Sequence, residues 1–392
     1  MQSREAKVYK LPRDAKFSPS YMGKYEWEED KVMVDLRGFL ADKKSQLDNI
    51  DKKTFDDVHF YHDLYTPLKK RIRMIGAEAV TNAWLKIYEI FTIFDGKIFG
   101  PKDEEGKPFS FFDACSLPGA WVAATHQYIR SNRPDIGAIK WDAESWRGND
   151  EALTDTYGIV KANPDRFDFG EAQDGDIQRE ENLLHWEKKF AGRDLSISDC
   201  GISVTEDYNM QESMNAKLNY AQTLLGLLLV KKGGSVIFKT YTSFEPSSRS
   251  LLYILSSVFD EFYLVKPLTS RPGNSEVYMV GLGFRGVSSD YKNKMMEFML
   301  FLDPSKPETI QHGVVSKEKI PKKWLSAHTK AMEDMVHSQA LSLDSFVKLA
   351  QTGITPSRRR FFDDMKKKAT DEWLRNNVVK PLEDEYRLVP PE

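Results

Sequence analysis

The chain has little cysteine: two in 392 residues, Cys115 and Cys200. That count excludes the disulfide framework of a small secreted domain and fits a reducing compartment, with both cysteines expected as free thiols. No cluster of histidine and cysteine has metal-ligand spacing, so no metal is expected. Long hydrophobic runs are also missing. The most apolar stretch, Leu224 to Val230, is far too short to span a bilayer, and no membrane association is expected. The first residues, Met1 to Lys7, have no apolar core, so a secretory signal is not expected. An excess of one charge is absent too. A net charge of −3 makes no global case for nucleic-acid binding, which must rest on a local basic patch. What is present, 41% hydrophobic and 29% charged residues, is the composition of a soluble globular protein. The length allows two domains, or one domain with large extensions.

The strongest pattern lies between residues 198 and 276. Asp194 to Ile197 reads as a strand and runs into Ser198-Asp199-Cys200-Gly201. A helical pattern follows from Gln211 to Lys232, and Gly233-Gly234 breaks it. Ser235 to Thr240 reads as a buried strand that carries Lys239 near its end. A helix from Ser248 to Phe259, a strand from Glu261 to Val265 and a last strand from Val277 to Phe284 complete the unit. Asp199, Lys239 and Glu276 thus stand at strand ends of one alternating β/α unit, where open sheets form their ligand crevice. Upstream, Phe109 to Ala114 is a strand, Cys115 to Trp121 a turn of small residues, and Val122 to Arg130 a helix. Such a turn either brings backbone N–H groups against a ligand or is an ordinary connection. Ile136 to Lys140 is expected as the second strand, followed by a long polar excursion over residues 141–173. Asp176, in the segment that closes it, either accepts from a ligand amino group or caps the next helix.

The flanks carry basic and aromatic clusters. His59-Phe60-Tyr61-His62 precedes Lys69, Lys70, Arg71 and Arg73, which form a phosphate-contacting patch or a solvated helix face. A helical pattern from Ala77 to Ile90 includes Lys86. Beyond residue 288 helices dominate, with patterns at Trp324–Met335 and Leu341–Gln351. Arg358-Arg359-Arg360 and Lys366-Lys367-Lys368 flank Phe361-Phe362: an RNA-facing surface, a nuclear-import-like patch or a solvated face.

Together these segments resemble the FtsJ-like ribose 2′-O-methyltransferases, and most closely the messenger-RNA cap branch of eukaryotes and large viruses. Asp113 to Trp121 is similar to that family's S-adenosylmethionine loop, D-x-C-x-x-P-G-G before an aromatic residue, with Ala120 in place of the second glycine. Asp174-Gly175-Asp176-Ile177 resembles its D-G-D-I segment, and Asp199 to Val204 its D-G-G-F-S-V segment. Gly233-Gly234 through Thr240 and Lys266 through Glu276 resemble two further segments. Thr81 to Lys86 is similar to the N-R-A-x-x-K helix, with Asn82 in place of the arginine. The likeness covers roughly residues 65–285.

It implies a Rossmann-like fold, a doubly wound and mostly parallel sheet with helices on both faces. It implies S-adenosylmethionine as cofactor and a catalytic set of Lys86, Asp199, Lys239 and Glu276. Cofactor contacts are expected from Cys115, Ser116, Leu117, Pro118, Gly119, Ala120, Trp121, Asp176, Ile177 and Asp199. RNA contacts are expected from Lys69, Lys70, Arg71, Arg73, Arg271, Asn274 and Ser275. The acid that would hold the cofactor ribose is open between Asp142 and Asp150. The expected domain, residues 65–287, lies between an N-terminal extension, 1–64, and a mainly helical C-terminal one, 288–392. The partner it implies is the capped 5′ end of messenger RNA, and other capping or transcription proteins are candidates. The expected place is inside the cell, the nucleus slightly before the cytoplasm. Ribosomal or transfer RNA methylation, and a noncatalytic scaffold for capped RNA, are the competing readings.

Overall fold

A computed structural model describes residues 5–100, 107–148, 155–202, 204 and 208–390. In chain order its elements are β1 (Lys7–Leu11), β2 (Met22–Glu26), α1 (Lys31–Ser45), α2 (Lys52–His62), α3 (Thr66–Ile75), α4 (Asn82–Ile98), β3 (Phe109–Ala114), α5 (Ala120–Asn132) and β4 (Ile139–Ala143). Next come α6 (Ile159–Ala162), α7 (Glu180–Phe190), β5 (Arg193–Ser198), α8 (Gln211–Met214), α9 (Ala216–Leu229), β6 (Val230–Tyr241), α10 (Pro246–Val258), β7 (Phe259–Lys266) and β8 (Glu276–Phe284). The last are α11 (Ser289–Phe301), α12 (Pro307–Ile310), β9 (His312–Val315), α13 (Lys322–Thr352) and α14 (Pro356–Asn376).

Seven strands form one sheet in the order β1-β7-β8-β6-β5-β3-β4. β4, β3, β5 and β6 pair in parallel, and β8 then runs antiparallel between β6 and β7. Five strands therefore share one direction and β8 and β1 oppose it, a Rossmann-like, mostly parallel sheet. The central strands are buried on both faces because helices cover both, β6 with apolar residues on each face and β5 with Leu195 and Ile197 on one and Ser196 and Ser198 on the other. One hydrophobic cluster gathers Trp186, Leu225, Phe238, Leu255 and Trp324, and the other gathers Trp84, Phe91, Phe111, Trp121 and Val280.

Several boundaries differ from the sequence reading, each for a local reason. The helix expected from Ala77 begins only at Asn82, because Gly76 adopts a left-handed φ of 99° that ends α3 and the chain stays non-helical up to Thr81. Thr81 then caps α4, its hydroxyl accepting from the Trp84 N–H at 3.3 Å. β4 begins at Ile139, three residues later than expected for a start at Ile136. Gly233-Gly234 does not precede β6 but lies inside it, where an extended run from Val230 carries the pairing with β5 through a register shift. The two C-terminal helical patterns are one helix, α13. The flanks also contribute strands. β1 pairs antiparallel with β7 as the edge of the main sheet, and β2 pairs with β9 in a separate ribbon.

Candidate active site

The sheet edge at the carboxyl ends of β3, β4, β5 and β6 collects the expected residues. Asp199 follows β5 directly, and Lys239 sits two residues before the end of β6. Because β8 is antiparallel to β6, its first residue lies at that same edge, with Glu276 opposite Tyr241 and Tyr278 opposite Lys239. Lys86 comes from α4, whose apolar flank packs against the sheet. The structure thus brings all four members of the expected set together. The Lys86 amine lies 2.6 Å from a Glu276 carboxylate oxygen, both nearly buried. The Lys239 amine lies 3.5 Å from the Asp199 carboxylate and donates to the Asp199 carbonyl at 3.1 Å.

Tyr278 joins the two pairs. Its hydroxyl donates to Glu276 at 2.9 Å and reaches Asp199 at 3.5 Å. Ser270 donates to Glu276 at 3.2 Å, and Lys266 donates to the Glu276 carbonyl at 2.7 Å. Gly201 passes so close that a Cβ there would lie 2.7 Å from the Lys239 amine and 2.9 Å from the Tyr241 hydroxyl. A side chain at 201 would displace the lysine.

Burial and charge set the protonation states. Burial raises the Glu276 carboxyl, but Lys86, Lys239 and Lys266 overcome it and hold the pKa down at about 2. Burial lowers the Lys239 ammonium, yet Asp199, Tyr241 and Glu276 more than offset that and lift it above the usual lysine range. Asp199 is pushed up by burial, with Lys239 and Lys86 opposing. Lys266, buried and next to Lys86, falls to about 7 despite the pull of Glu276.

The turn after β3 forms the other half of the site. Cys115 takes a left-handed φ of 55°, and its N–H donates to Glu144 at 2.7 Å. The Leu117 N–H donates to the Ser145 hydroxyl at 2.8 Å, so the residues leaving β4 hold the turn. Ala120 opens α5 and is buried. Trp121 also points inward, its indole N–H bonded to the Ala83 carbonyl at 3.1 Å and its ring 5.8 Å from Tyr278. Asp176 lies on the loop that meets the exit of β4, where the Arg147 N–H donates to the Asp174 carbonyl. One Asp176 oxygen accepts from the Gln178 N–H at 2.9 Å in a local turn, so Asp176 does not cap α7, whose N-cap is Arg179, while Ile177 is buried. Of the two ribose candidates, Asp142 is spent on Arg193 at 2.6 Å, and Asp150 falls outside the described residues. The acid actually standing at the end of β4 is Glu144, fully buried.

The cysteines correct the sequence reading. Cys115 and Cys200 are joined in a disulfide, Cα atoms 5.2 Å apart. The register of β3 and β5 sets Ala114 beside Ser198, which brings the residues just beyond the two strands into bonding range.

The expected RNA-contacting residues divide between surface and interior. Arg271, Lys70, Arg71 and Arg73 are exposed. Lys69 bonds Asn82 at 2.7 Å, and Arg73 bonds the Val80 carbonyl at 2.7 Å. Asn274 and Ser275 face inward, toward Lys266 and Gln339. Sequence reasoning missed Tyr278, Lys266 and Glu89. Tyr278 shares a strand face with Glu276 two residues away, and Glu89 lies one helical turn after Lys86, so the periods held a signal. The Glu89 carboxylate accepts from the Leu268 N–H at 2.6 Å and from the Thr269 N–H and hydroxyl at 3.2 and 3.0 Å. It ties the helix of Lys86 to the loop that leads to Glu276.

A family model for FtsJ-like methyltransferases matches residues 79–284. The chain belongs to this family. An uncharacterised protein of Acanthamoeba polyphaga mimivirus is 31% identical over 335 residues, 83% of this chain and 40% of that protein. A probable methyltransferase of African swine fever virus is 32% identical over 262 residues, 62% of this chain and 59% of that protein. The cap-specific mRNA (nucleoside-2′-O-)-methyltransferase 2 of Mus musculus is 26% identical over 374 residues, 92% of this chain and 47% of that protein. The chain spans about half the length of these relatives.

The cofactor of an FtsJ-like methyltransferase is S-adenosylmethionine, and the residues here fit it. That molecule carries ammonium, amine and hydroxyl donors. Among the described residues, Asp113 has both carboxylate oxygens buried without a hydrogen-bond partner, and one Glu144 oxygen and the Ser116 hydroxyl are in the same condition. Burial pushes both carboxyls well above their usual range, so a cationic or hydrogen-bonding ligand relieves them. Among the described residues no group of acidic, histidine or cysteine side chains could hold a metal ion. No helix there is long and apolar enough to cross a membrane.

Proposed function

We propose that this chain methylates the 2′-hydroxyl of a ribose in RNA, and that its substrate is a cap-proximal nucleotide of messenger RNA. The observation that carries the reading is the paired set Lys86–Glu276 and Lys239–Asp199 at one sheet edge, beside a turn where the Asp113 carboxylate and one Glu144 oxygen are buried without a hydrogen-bond partner. Identity to a cap-specific relative over most of this chain supports the cap substrate.

S-adenosylmethionine supplies a methyl group made electrophilic by a sulfonium. The acceptor hydroxyl is a poor nucleophile, so the protein's work is positioning and charge stabilisation. Lys239 is the group offered to the acceptor oxygen. To take the hydroxyl proton it must first lose its own, and Asp199 and Glu276 oppose that loss. In this arrangement it orients the hydroxyl and stabilises negative charge developing on oxygen, and the hydroxyl proton is released to solvent as the methyl is transferred. Asp199 fixes Lys239, and Glu276 fixes Lys86 while sharing Tyr278 with Asp199.

The test is transfer of labelled methyl to matched short RNAs bearing an N7-methylated cap, an unmethylated cap or a 5′ triphosphate, with the labelled ribose mapped by nuclease digestion. The expected result is label confined to capped RNA near its 5′ end. Equal label on uncapped RNA would move the assignment to ribosomal or transfer RNA. No label on any RNA, with cofactor bound, would leave a scaffold.

A further inference from the structure

Two segments 306 positions apart in sequence meet on the surface, where the Lys366 amine of α14 donates to the Phe60 carbonyl of α2 at 2.5 Å. Their aromatic side chains form one continuous row. Phe60 and Tyr61 are 5.1 Å apart centre to centre, Tyr61 and Phe362 6.2 Å, and Phe362 and Phe361 5.8 Å. The inner two are partly covered, but Phe60 at 52% and Phe361 at 59% exposure end the row in solvent.

Cations border the rings. The Lys366 amine is 3.9 Å from the Phe60 ring centre, and the Arg359 guanidinium 5.9 Å from that of Tyr61. α14 has seven basic and four acidic residues, and α3, against which it also packs, has four basic and none acidic, in a chain of net charge −3. The basic side reaches the start of the helix that carries Lys86, where Lys69 of α3 bonds Asn82, its first residue. Arg271, on the loop before Glu276, acts with Lys69 on the His59 imidazole, which burial and these two cations hold below its usual pKa.

We propose that this surface binds single-stranded RNA, the part of the transcript that continues beyond the nucleotide in the active site. The proposal rests on the RNA methyltransferase reading above. Exposed rings offer π-faces to which any base can stack, and flanking arginines and lysines neutralise phosphates. Such a surface is tolerant of sequence, as a track for transcript bodies must be. Phe60 and Phe361 are the stacking residues, and Arg359 and Arg360 contact phosphate.

The experiment measures binding of fluorescein-labelled capped RNAs, a tetramer and a twenty-mer of the same 5′ sequence, to the full chain. For the double variant Phe60→Ala/Phe361→Ala, affinity for the twenty-mer should fall roughly tenfold or more, with the tetramer unaffected. Phe361→Ala alone, the more exposed position, should give a partial loss and guards against misfolding of the double variant. Arg359→Gln/Arg360→Gln should flatten the salt dependence for the twenty-mer by about 0.7 in the log–log slope for each phosphate left without its cation. Unchanged twenty-mer affinity in the ring variants would overturn the proposal and leave the row as a surface for a protein partner. Equal losses on both lengths would overturn it too, placing the effect in the active site. Binding is read without turnover. Length-dependent binding with no methyl transfer would therefore sink the enzymatic reading and keep the RNA surface.

Discussion

Lys239 and Glu276 show how the site divides its charges. Lys239 keeps its proton because two carboxylates and Tyr241 surround it, so its removal should leave the acceptor oxygen unstabilised. Lys239→Ala should lower single-turnover methyl transfer roughly 10²- to 10³-fold or more while cofactor affinity, read by calorimetric titration, is nearly unchanged. A loss of cofactor affinity equal to the loss of rate would assign Lys239 to the wrong ligand. Glu276 bears on stability as well. Its folded pKa of about 2 lies below the ordinary 4.5, so its contribution is present above about pH 4.5 and disappears as pH falls through 2. That depression corresponds to roughly 3 kcal/mol. Glu276→Gln should cost stability of that order at pH 7 and remove this part of the acid dependence, as followed by denaturant titration across pH. A variant with the wild-type pH profile would show that the three lysines do not stabilise the carboxylate.

At the scale of elements, function depends on how strand ends and helix α4 are tied together. Glu89 joins α4 to the Leu268–Thr269 backbone, and burial raises its pKa to about 6, the N–H donors of that loop opposing. As pH falls through 6 it gains a proton and loses the charge that holds three donors. Transfer by the wild type should therefore decline on the acid side near pH 6, and Glu89→Gln should lack that limb and run about tenfold slower at pH 7. Identical acid limbs in the two proteins would remove Glu89 from the site's support. The disulfide is a second tie, across β3 and β5, closing a separation of 85 residues. Reduction, or the pair Cys115→Ala and Cys200→Ala, should lower stability by about 2–4 kcal/mol. The check is the denaturation midpoint with and without reductant.

Over the whole molecule, the flanking segments complete the seven-stranded sheet. β1 covers the edge of β7, Lys10 bonds Glu261 on that strand at 2.6 Å, and Lys7 and Tyr9 both bond Asp334 on α13. Without β1, β7 would present unpaired N–H and C=O groups to other chains. A chain lacking residues 1–12 should melt at lower temperature and associate as concentration rises, seen by light scattering. A monomer with an unchanged melt would make β1 dispensable. The same logic places α14. Trp373 packs 5.9 Å from Tyr88 of α4, so the C-terminal helix supports the element that presents Lys86.

By itself the sequence determined the alternation of strands and helices and set Asp199, Lys239 and Glu276 at strand ends, while the place of Lys86 beside them was implied only by the family resemblance. Local patterns suffice for that: buried strands are short apolar runs, and each motif lies within about ten residues. Boundaries slipped where a single backbone feature decided them, as at Gly76, or where pairing overrode a break signal, as at Gly233-Gly234. Only the tertiary structure decided the rest. The antiparallel β8 puts Glu276 opposite Tyr241, the parallel register of β3 and β5 joins Cys115 to Cys200, and α14 carries Phe361 to Phe60. Each of these joins residues far apart in the chain, and their meeting depends on which strands and helices become neighbours when the core closes. No local propensity encodes that choice.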